Sequence, residues 1–439
     1  MVALSVKISN QSFFIYITLV TKMGRLPLIL AGCIIVILFD VYCYRAITSV
    51  FKKWKPTTRK IFGIAYWTYS FLLIVGVFCG IYLNLFLTLR AIILVAFFLT
   101  VACKLAMLPF LLLDDLRRLY IKLFKKKTPE IKNSAPLTSG DDTISRSDFL
   151  VKAGLVAAAV PLTSLSWGII SGAYDYQVRR VNLVLPNLPK AFDGITLGQI
   201  SDIHSGSFYN KTAVKGGVEM LLKEKPDFIF FTGDLVNNLT KEVRDYQDIF
   251  ANVKAPLGVY SSLGNHDYGD YYFGKESSPA KVKNLKDMVD VHKVMGYDLL
   301  MNEHRRLKVD GEEIGILGIE NWGMGRFPKY GKMELAVKDT DDLPVKLLLS
   351  HDPSHWRGEV LEKYPQIDAM FSGHTHGMQF GVRLKELQWS PVQYIYKEWA
   401  GLYREQQQQL YVNVGYGFLG YPGRVGILPE ITIFTLKRA

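Results

Sequence analysis

Three long apolar stretches in the first third of the chain constrain its fold more than any other feature. They begin at Leu26, Ile61 and Ala91, and each has about the 20 apolar residues that cross a hydrocarbon core of roughly 30 Å. A fourth stretch, from Phe149, is more polar because it contains Lys152, but it is also long enough to span. Buried helices of a soluble protein are the alternative, and four such stretches in series count against it. We predict a membrane anchor over residues 1–175, with transmembrane helices at about 26–45, 62–87, 91–113 and 149–172.

The positions of Lys and Arg between these stretches predict the orientation. The links at residues 45–60 and 114–127 are rich in both, whereas the link between the second and third stretches offers little beyond Arg90. Basic links stay in the cytoplasm, so a fourth span would place the rest of the chain on the opposite side. We predict a multi-pass protein of the cell (inner) membrane with an extracytoplasmic C-terminal domain, and the reversed topology is the alternative. Asp40, near the predicted end of the first span, is expected to be hydrated.

Charge and cysteine content separate the C-terminal part from the anchor. Residues 1–180 hold 22 Lys and Arg against 8 Asp and Glu, a net +14, whereas the remainder holds 30 against 32, a net −2. Nucleic-acid binding needs a basic face, so we predict no nucleic-acid partner for the C-terminal domain. All four cysteines lie in the first third, which excludes a disulfide framework and a cysteine-based zinc site from residues 176–439.

From about residue 190, short apolar runs of strand length end in polar residues, with amphipathic stretches between them. Because the carboxyl ends of strands in open α/β sheets share one edge, we expect the polar ends of five such runs to form one site. The residues at these ends are Asp202, His204, Asp234, Asn265, His266, His351, His374 and His376.

The donor atoms of this set are nitrogen and oxygen, without sulfur. Such a set suits divalent metals that accept imidazole and carboxylate together, namely Mn, Fe or Zn. One ion needs only three or four ligands, so the surplus predicts two ions about 3.5 to 4 Å apart that share a carboxylate. His374 and His376, one residue apart, would then face different metals from a single turn.

Five ordered motifs resemble those of the calcineurin-like metallophosphoesterases. They are D-x-H at Asp202–His204, G-D-x-x-[DN] at Gly233–Asn237, G-N-H-D at Gly264–Asp267, a later His351, and G-H-x-H at Gly373–His376. The resemblance covers about residues 190–435. It implies an α/β (α+β) four-layer αββα sandwich for the C-terminal domain, behind the α-helical membrane anchor, with two metals at the sheet edges.

The resemblance also implies roles for the motif residues. The implied ligands of the first metal are Asp202, His204 and His376, those of the second are Asn265, His351 and His374, and Asp234 bridges the two. Asn237 stands where the family usually has an outer-shell Asp. Manganese is the favoured metal among Mn, Fe and Zn.

The predicted activity is hydrolysis of a phosphoester or pyrophosphate. Two cations lower the pKa of a bridging water, and the resulting hydroxide attacks phosphorus in line with the leaving oxygen. His266 is the predicted general acid, with Asp267 as its orienting partner; a non-catalytic role for His266 is the alternative. A non-hydrolytic metal-binding sensor or scaffold of the same fold is the alternative function, against which the full ligand set speaks.

Substrate choice must come from segments outside the motifs. Residues 320–331, 389–403 and 415–424 are rich in aromatic residues and glycine. They would cover a phosphorylated small-molecule or lipid substrate near the bilayer, or else pack the edge of the sandwich. The candidate phosphate contacts are Arg326, Lys329, His355 and Arg424, whereas His292 and His304 are expected to be exposed and to carry no chemistry.

The tail of the chain resembles that of a membrane-anchored branch of the family. This branch includes enzymes similar to UDP-diacylglucosamine pyrophosphohydrolase, although Val414 replaces an arginine that is often found there.

Overall fold

The computed structural model describes residues 26–51, 54–83, 87–124, 145–384 and 387–439. The chain divides into two compact units, Met1–Ser164 and Leu165–Ala439. This division falls inside the fourth long helix, and the domain boundary at residue 175 remains a prediction.

Four long helices follow one another in the N-terminal part: α1 (Leu26–Val50), α2 (Pro56–Tyr82), α3 (Leu87–Phe124) and α4 (Arg146–Ile170). All four are long and apolar enough to cross a membrane, in agreement with the four apolar stretches of the sequence, and that each one spans remains a prediction. Most of α4 belongs to the first unit, and its last turn belongs to the second.

Asp40 is buried in the first unit rather than hydrated. Its carboxylate contacts the Lys104 ammonium and the Ser70 hydroxyl, and Tyr66 donates a hydrogen bond of 3.0 Å to its backbone carbonyl. Asp40 lies near the middle of α1, because this helix continues to Val50 rather than ending at about residue 45. The expectation of hydration was therefore wrong, because side chains of two other helices compensate the charge.

Two six-stranded sheets form the frame of the second unit. The first has the order β1-β14-β2-β3-β4-β5, with β1 (Gln177–Leu185), β2 (Thr196–Ile200), β3 (Phe228–Phe231), β4 (Val259–Ser261), β5 (Asp298–Leu299) and β14 (Glu430–Arg438). The second has the order β12-β13-β9-β8-β7-β6, with β6 (Glu303–Val309), β7 (Glu312–Gly318), β8 (Lys346–Leu349), β9 (Ala369–Ser372), β12 (Gly401–Glu405) and β13 (Gln408–Val412). A separate hairpin pairs β10 (Val382–Arg383) with β11 (Gln388–Trp389).

The strands that carry the predicted site are parallel within each sheet. In the first sheet β2, β3 and β4 pair in parallel, and in the second β7, β8 and β9 do the same. Parallel pairing brings the carboxyl ends of these strands to one edge of each sheet.

Shorter helices connect the strands: α5 (Lys211–Lys223), α6 (Gln247–Phe250), α7 (Asp270–Phe273), α8 (Pro279–Met295), α9 (Met333–Ala336) and α10 (Leu361–Lys363). Helix α5 shows why such segments fold as they do. The Asn210 side chain caps it by accepting a hydrogen bond of 3.1 Å from the amide of Ala213. Val214, Val218 and Leu221 recur at helical spacing and are buried.

The main core lies between the two sheets. There the Phe371 ring of β9 meets the Phe230 ring of β3 edge-on, at 5.1 Å between centroids. On the outer face of the first sheet, Ile229 and Phe231 of β3 pack in a core that includes buried residues of α5 and α8. Met370 of β9 packs with residues of α9 on the outer face of the second sheet. These layers confirm the αββα sandwich.

Candidate metal centre

The predicted ligands lie just after the ends of β2, β3, β4, β8 and β9. Backbone hydrogen bonds join their loops: the Asp202 amide donates to the Gly233 carbonyl at 2.9 Å, and the His374 amide donates to Asp202 Oδ1 at 2.9 Å. The strand ends of both sheets therefore converge, as the order of the motifs predicts, and all seven candidate ligands lie in one site.

The first group consists of Asp202, His204 and His376, whose nearest donor atoms all lie within 4.8 Å of one another. His376 Nε2 is 3.3 Å from Asp202 Oδ1, and the rings of His204 and His376 are 4.9 Å apart. The three residues are buried. This set could hold one cation, and it is the set that the family resemblance implies for the first metal.

The second group consists of Asp234, His351 and His374, again with donor atoms within 4.8 Å. His351 Nε2 lies 3.0 Å from Asp234 Oδ2, and Asn265 Oδ1 lies 2.8 Å from His374 Nδ1. Asp234 Oδ2 is also 3.5 Å from His204 Nε2 of the first group. Asp234 therefore contacts both groups, which is the position that a bridging ligand needs.

Several imidazole nitrogens in these groups have no hydrogen-bond partner among the described residues. They are both ring nitrogens of His204, Nε2 of His351 and Nε2 of His376. Buried polar atoms are nearly always satisfied in native proteins, whereas Nε2 of each of these three histidines faces the carboxylate of Asp202 or Asp234 instead. Imidazole and carboxylate donors without sulfur suit Mn, Fe or Zn. The residues present thus fit a pair of divalent cations, although their role as ligands remains a prediction.

The outer contacts of His351 fix which of its nitrogens is available. Nδ1 lies 2.6 Å from the Thr232 carbonyl oxygen, which can only accept, so Nδ1 carries hydrogen and Nε2 faces Asp234. Burial by itself lowers the pKa of His351, but the carboxylates of Asp234 and Asp202 raise it to about 10. A cation that binds at Nε2 must therefore displace a proton.

Burial has the opposite result for His204. It lowers the pKa of His204 to about 3, so this imidazole is neutral at pH 7 and offers a lone pair. Burial also raises the pKa of Asp234, yet His351 and His266 hold it well below its usual value. His204 and Asp234 therefore present neutral imidazole and ionised carboxylate, the donor forms that a divalent cation requires, whereas His351 must first lose a proton.

Backbone strain is concentrated at the site. Asp202, His204, Asp234, His374 and His376 all have a φ between 49° and 71°, a region that residues other than glycine seldom adopt. Gly373 precedes two of them, and a Cβ atom there would collide with the side chains of Ser201 and Asp202. Such strain persists only where surrounding contacts impose it, and it clusters at functional sites.

His266 lies at the edge of the site and is half-buried. Its Nδ1 is 2.6 Å from the Asn237 carbonyl oxygen, so Nδ1 donates and Nε2 remains available. Its ring meets the His204 ring edge-on at 5.0 Å between centroids.

Asp267 does not orient His266, so the role predicted for Asp267 was wrong. Its buried carboxylate accepts backbone hydrogen bonds of 2.8 to 3.3 Å from the amides of Asp234, Leu235, Val236 and Gly264. Asp267 therefore holds the loop that carries Asp234, and the orienting group for His266 is the Asn237 carbonyl.

Two of the predicted substrate contacts are exposed. Arg326 and Lys329 flank Phe327, whose ring meets the His374 ring edge-on at 4.9 Å between centroids. The Lys329 ammonium lies over the Trp322 ring at 4.4 Å. Their position beside the second group agrees with substrate binding, which remains a prediction.

The other two predicted substrate contacts are buried. His355 uses both ring nitrogens, one with Ser350 at 2.9 Å and the other with Glu359 at 3.2 Å. The Arg424 side chain, 1% exposed, donates to the carbonyls of Val414 and Gly417, and its Nη2 lies 3.2 Å from His376 Nδ1. Neither side chain can reach a substrate, which contradicts the predicted roles.

His292 was expected to be exposed and is buried instead. Its Nδ1 lies 2.9 Å from the Ser261 hydroxyl under the first sheet.

Three residues at the site were missed in the sequence. The Tyr396 hydroxyl lies 2.8 Å from His374 Nε2, Asn265 Nδ2 donates to the Tyr271 hydroxyl at 2.9 Å, and Asp352 Oδ2 lies 3.6 Å from His374 Nε2. Asp352 directly follows a candidate ligand at a strand end, a signal that could have identified it. The two tyrosines reach the site from other elements and carry no such signal.

Comparison with known families agrees with this architecture. The family described as "Probable Calcineurin-like phosphoesterase, transmembrane domain" matches residues 25–173, and the family "Calcineurin-like phosphoesterase" matches residues 195–378. The fold and the two groups of donors thus define a membrane metallophosphoesterase.

Two relatives illustrate the likeness. "Transmembrane protein with metallophosphoesterase domain" from Danio rerio is 26% identical over 310 residues, which cover 69% of this chain and 66% of the relative. "Uncharacterized metallophosphoesterase YkuE" from Bacillus subtilis (strain 168) is 30% identical over 255 residues, which cover 57% of this chain and 82% of the relative. The chain belongs to the calcineurin-like phosphoesterase family, hydrolases of phosphoesters, and carries its transmembrane domain.

Proposed function

We propose that the protein is a membrane-bound hydrolase that uses two divalent cations to cleave a phosphoester or pyrophosphate bond. The observation that carries this proposal is the pair of adjacent, buried donor groups with unsatisfied imidazole nitrogens, joined by Asp234. These residues would hold two divalent cations, whose chemistry would be to supply hydroxide near neutral pH and to neutralise the charge that develops on the phosphoryl group. Manganese is our favoured metal.

The residues of the chain prepare the site for this chemistry. Asp234 contacts both groups, because its Oδ2 lies 3.5 Å from His204 Nε2 and 3.0 Å from His351 Nε2. Asp267 fixes the backbone that carries Asp234. These contacts leave little freedom for the ligands, which keeps them in position as charge develops.

We assign to His266 the role of general acid, which donates a proton to the leaving oxygen. Its Nδ1 is committed to the Asn237 carbonyl, so Nε2 is the atom that holds and delivers a proton. The leaving alkoxide accepts this proton as its bond to phosphorus breaks. The exposed Arg326 and Lys329, beside the second group, would bind the remaining phosphoryl charge.

We also propose that the protein lies in the cell membrane with its catalytic domain outside the cytoplasm. The excess of Lys and Arg in the links after the first and third spans supports this orientation. A cysteine placed at the exposed Val282, in a background without Cys33, Cys43, Cys79 and Cys103, tests it in intact cells. Labelling of intact cells by a membrane-impermeant maleimide would support the proposal. Labelling only after permeabilisation would show the reversed topology, with the catalytic domain in the cytoplasm.

Hydrolysis is tested with full-length protein in nanodiscs. Aryl phosphomonoesters, aryl phosphodiesters and an alkyl pyrophosphate are offered with Mn²⁺, and the metal content of each sample is measured. The variants are Asp234→Asn and, as the matched control, Asp287→Asn on the exposed side of α8. We expect metal-dependent turnover that Asp234→Asn lowers at least about 100-fold, as for loss of a group that stabilises the transition state. Asp287→Asn should match the wild type.

The same experiment distinguishes the hydrolase from the alternative function. Two bound metals per chain without turnover of any of the three substrate classes would favour a metal-binding sensor or scaffold.

A further inference from the structure

An unusual number of large apolar side chains is exposed just after the candidate ligand His376. In residues 378–395 they include Phe380, Val382, Leu384, Leu387, Tyr394 and Ile395, with Leu384 63% and Tyr394 77% exposed. We call these six residues the apolar rim. Soluble proteins seldom expose apolar residues in such density, and an exposed apolar patch marks a contact surface.

Hydrogen bonds fix the rim against the loop at residues 421–425. Gly381 donates to the Val425 carbonyl at 2.9 Å, and Val425 donates to the Gln379 carbonyl at 2.8 Å. The Gln379 side chain reaches the same loop, where it donates to the carbonyls of Tyr421 and Gly423 at 2.8 and 2.9 Å. The start of the rim therefore cannot move independently of this loop.

The same loop holds the last turn of α4. Arg424 donates from its backbone to the Gly168 carbonyl at 3.1 Å, and the Tyr421 hydroxyl donates to the Leu165 carbonyl. Gly168 and Gly423 pack so closely that a Cβ atom at Gly423 would lie 2.7 Å from the Gly168 carbonyl carbon. Phe380 is thus joined to the end of a membrane-length helix through two consecutive residues, Arg424 and Val425.

The six side chains of the rim are apolar or aromatic, which suits lipid rather than water. Segment 378–395 contains three charged residues: Arg383, whose side chain is 4% exposed, is paired with Glu430, and Lys385 and Glu386 lie outside the described residues. The end of α4 beside it exposes Trp167 and Ile170. Tryptophan and tyrosine concentrate at the boundary between bilayer and water.

We infer that the apolar rim is a membrane-contact surface that lies in the bilayer interface beside the end of α4. We favour a bilayer as the partner of this surface because α4 is a candidate membrane span, and its last turn contacts the same loop, residues 421–425, that holds the rim. His376 lies two residues before the start of segment 378–395, so contact with lipid and the metal centre share one stretch of chain. The substrate class that this arrangement favours is a lipid with a phosphorylated headgroup, and that part rests on the proposed function.

Depth measurements on the full chain in nanodiscs test the surface without any need for activity. Spin labels are placed by Leu387→Cys and by Ile395→Cys, with Val294→Cys on α8, 68% exposed, as the control; the four native cysteines are replaced by serine. We expect the ratio of oxygen to nickel-chelate collision rates to be several-fold higher at both rim positions than at Val294. Equal ratios at all three positions would overturn the inference. Line broadening that vanishes on dilution with unlabelled protein would also overturn it, by assigning the rim to a second copy.

A second variant keeps the native cysteines and tests the substrate class. Leu384→Asp combined with Leu387→Asp should preserve turnover of soluble aryl phosphate and lower turnover of phosphatidic acid in the same nanodiscs at least several-fold. An equal effect on both substrates would refute the inference that the substrate is a lipid. The inference that the rim contacts the membrane would then depend on the depth measurements alone. Failure of wild-type protein to turn over either substrate would refute the proposed hydrolysis instead.

Discussion

Replacing Asp267 by Asn distinguishes the backbone role of this residue from an orienting role toward His266. In the structure Oδ2 accepts from the amides of Asp234 and Gly264, and Oδ1 accepts from those of Leu235 and Val236. An asparagine keeps one oxygen and turns an NH₂ group toward the other two amides. Two buried N–H groups then lose their acceptor, at about 1 to 3 kcal/mol each.

The expected loss of unfolding free energy is therefore about 2 to 6 kcal/mol. At roughly 2 to 3 °C per kcal/mol for a unit of this size, the thermal midpoint should fall by about 4 to 18 °C. Thermal unfolding of full-length protein in nanodiscs, followed by near-UV circular dichroism, measures this shift. The control Asp287→Asn, whose partner Lys283 is also exposed, should stay within about 0.5 kcal/mol of the wild type.

An orienting role gives the opposite pattern. If Asp267→Asn left the midpoint unchanged but shifted the pH profile of turnover, our assignment of the four amide contacts would be refuted.

Three further predictions concern the acid, the metals and a buried ion pair. His266→Ala should retain two metals and lose more turnover on alkyl than on nitrophenyl esters, because only a basic leaving oxygen needs the proton; equal losses on both would contradict the assignment. Chelation should lower the thermal midpoint, since ligands at about 100 times their Kd stabilise by about 2.7 kcal/mol, and readdition of Mn²⁺ should restore it. Glu430→Gln should cost about 3 to 5 kcal/mol because it leaves Arg383 buried without its partner, as denaturant titration can measure. Burial raises the pKa of Glu430, but Arg383 and Arg179 hold it below its usual value, so its contribution should persist above about pH 4.3 and fade as the pH falls further.

The sequence predicted which donor side chains lie together because each of them follows a strand end, and their role as metal ligands stays a prediction. Asp202 and Asp234 follow runs that are buried over the whole of their length or nearly so, and such runs can only be strands covered on both faces. Their convergence then follows from parallel pairing. The number of membrane-length helices was predictable for a similar reason, since helix length is set by the thickness of the bilayer.

The errors arose where a partner lies elsewhere in the fold. Asp267 adjoins a histidine in sequence, yet its carboxylate oxygens accept hydrogen bonds from backbone amides of the loop after β3. Arg424 stands in a glycine-rich loop that suggests exposure, but its guanidinium is buried against the carbonyls of Val414 and Gly417. Asp40 was misplaced because a sequence does not show that Lys104 and Ser70 of other helices meet its carboxylate.

The number of cations that the site binds tests the central claim most directly. Full-length protein is dialysed against Mn²⁺, the bound metal is counted, and electron paramagnetic resonance reports whether the ions interact. We predict two magnetically coupled Mn²⁺ ions per chain in the wild type and one uncoupled ion in both His376→Ala and His374→Ala, since these residues belong to different groups. One ion or none in the wild type, or two ions without coupling, would contradict a dinuclear centre joined by Asp234.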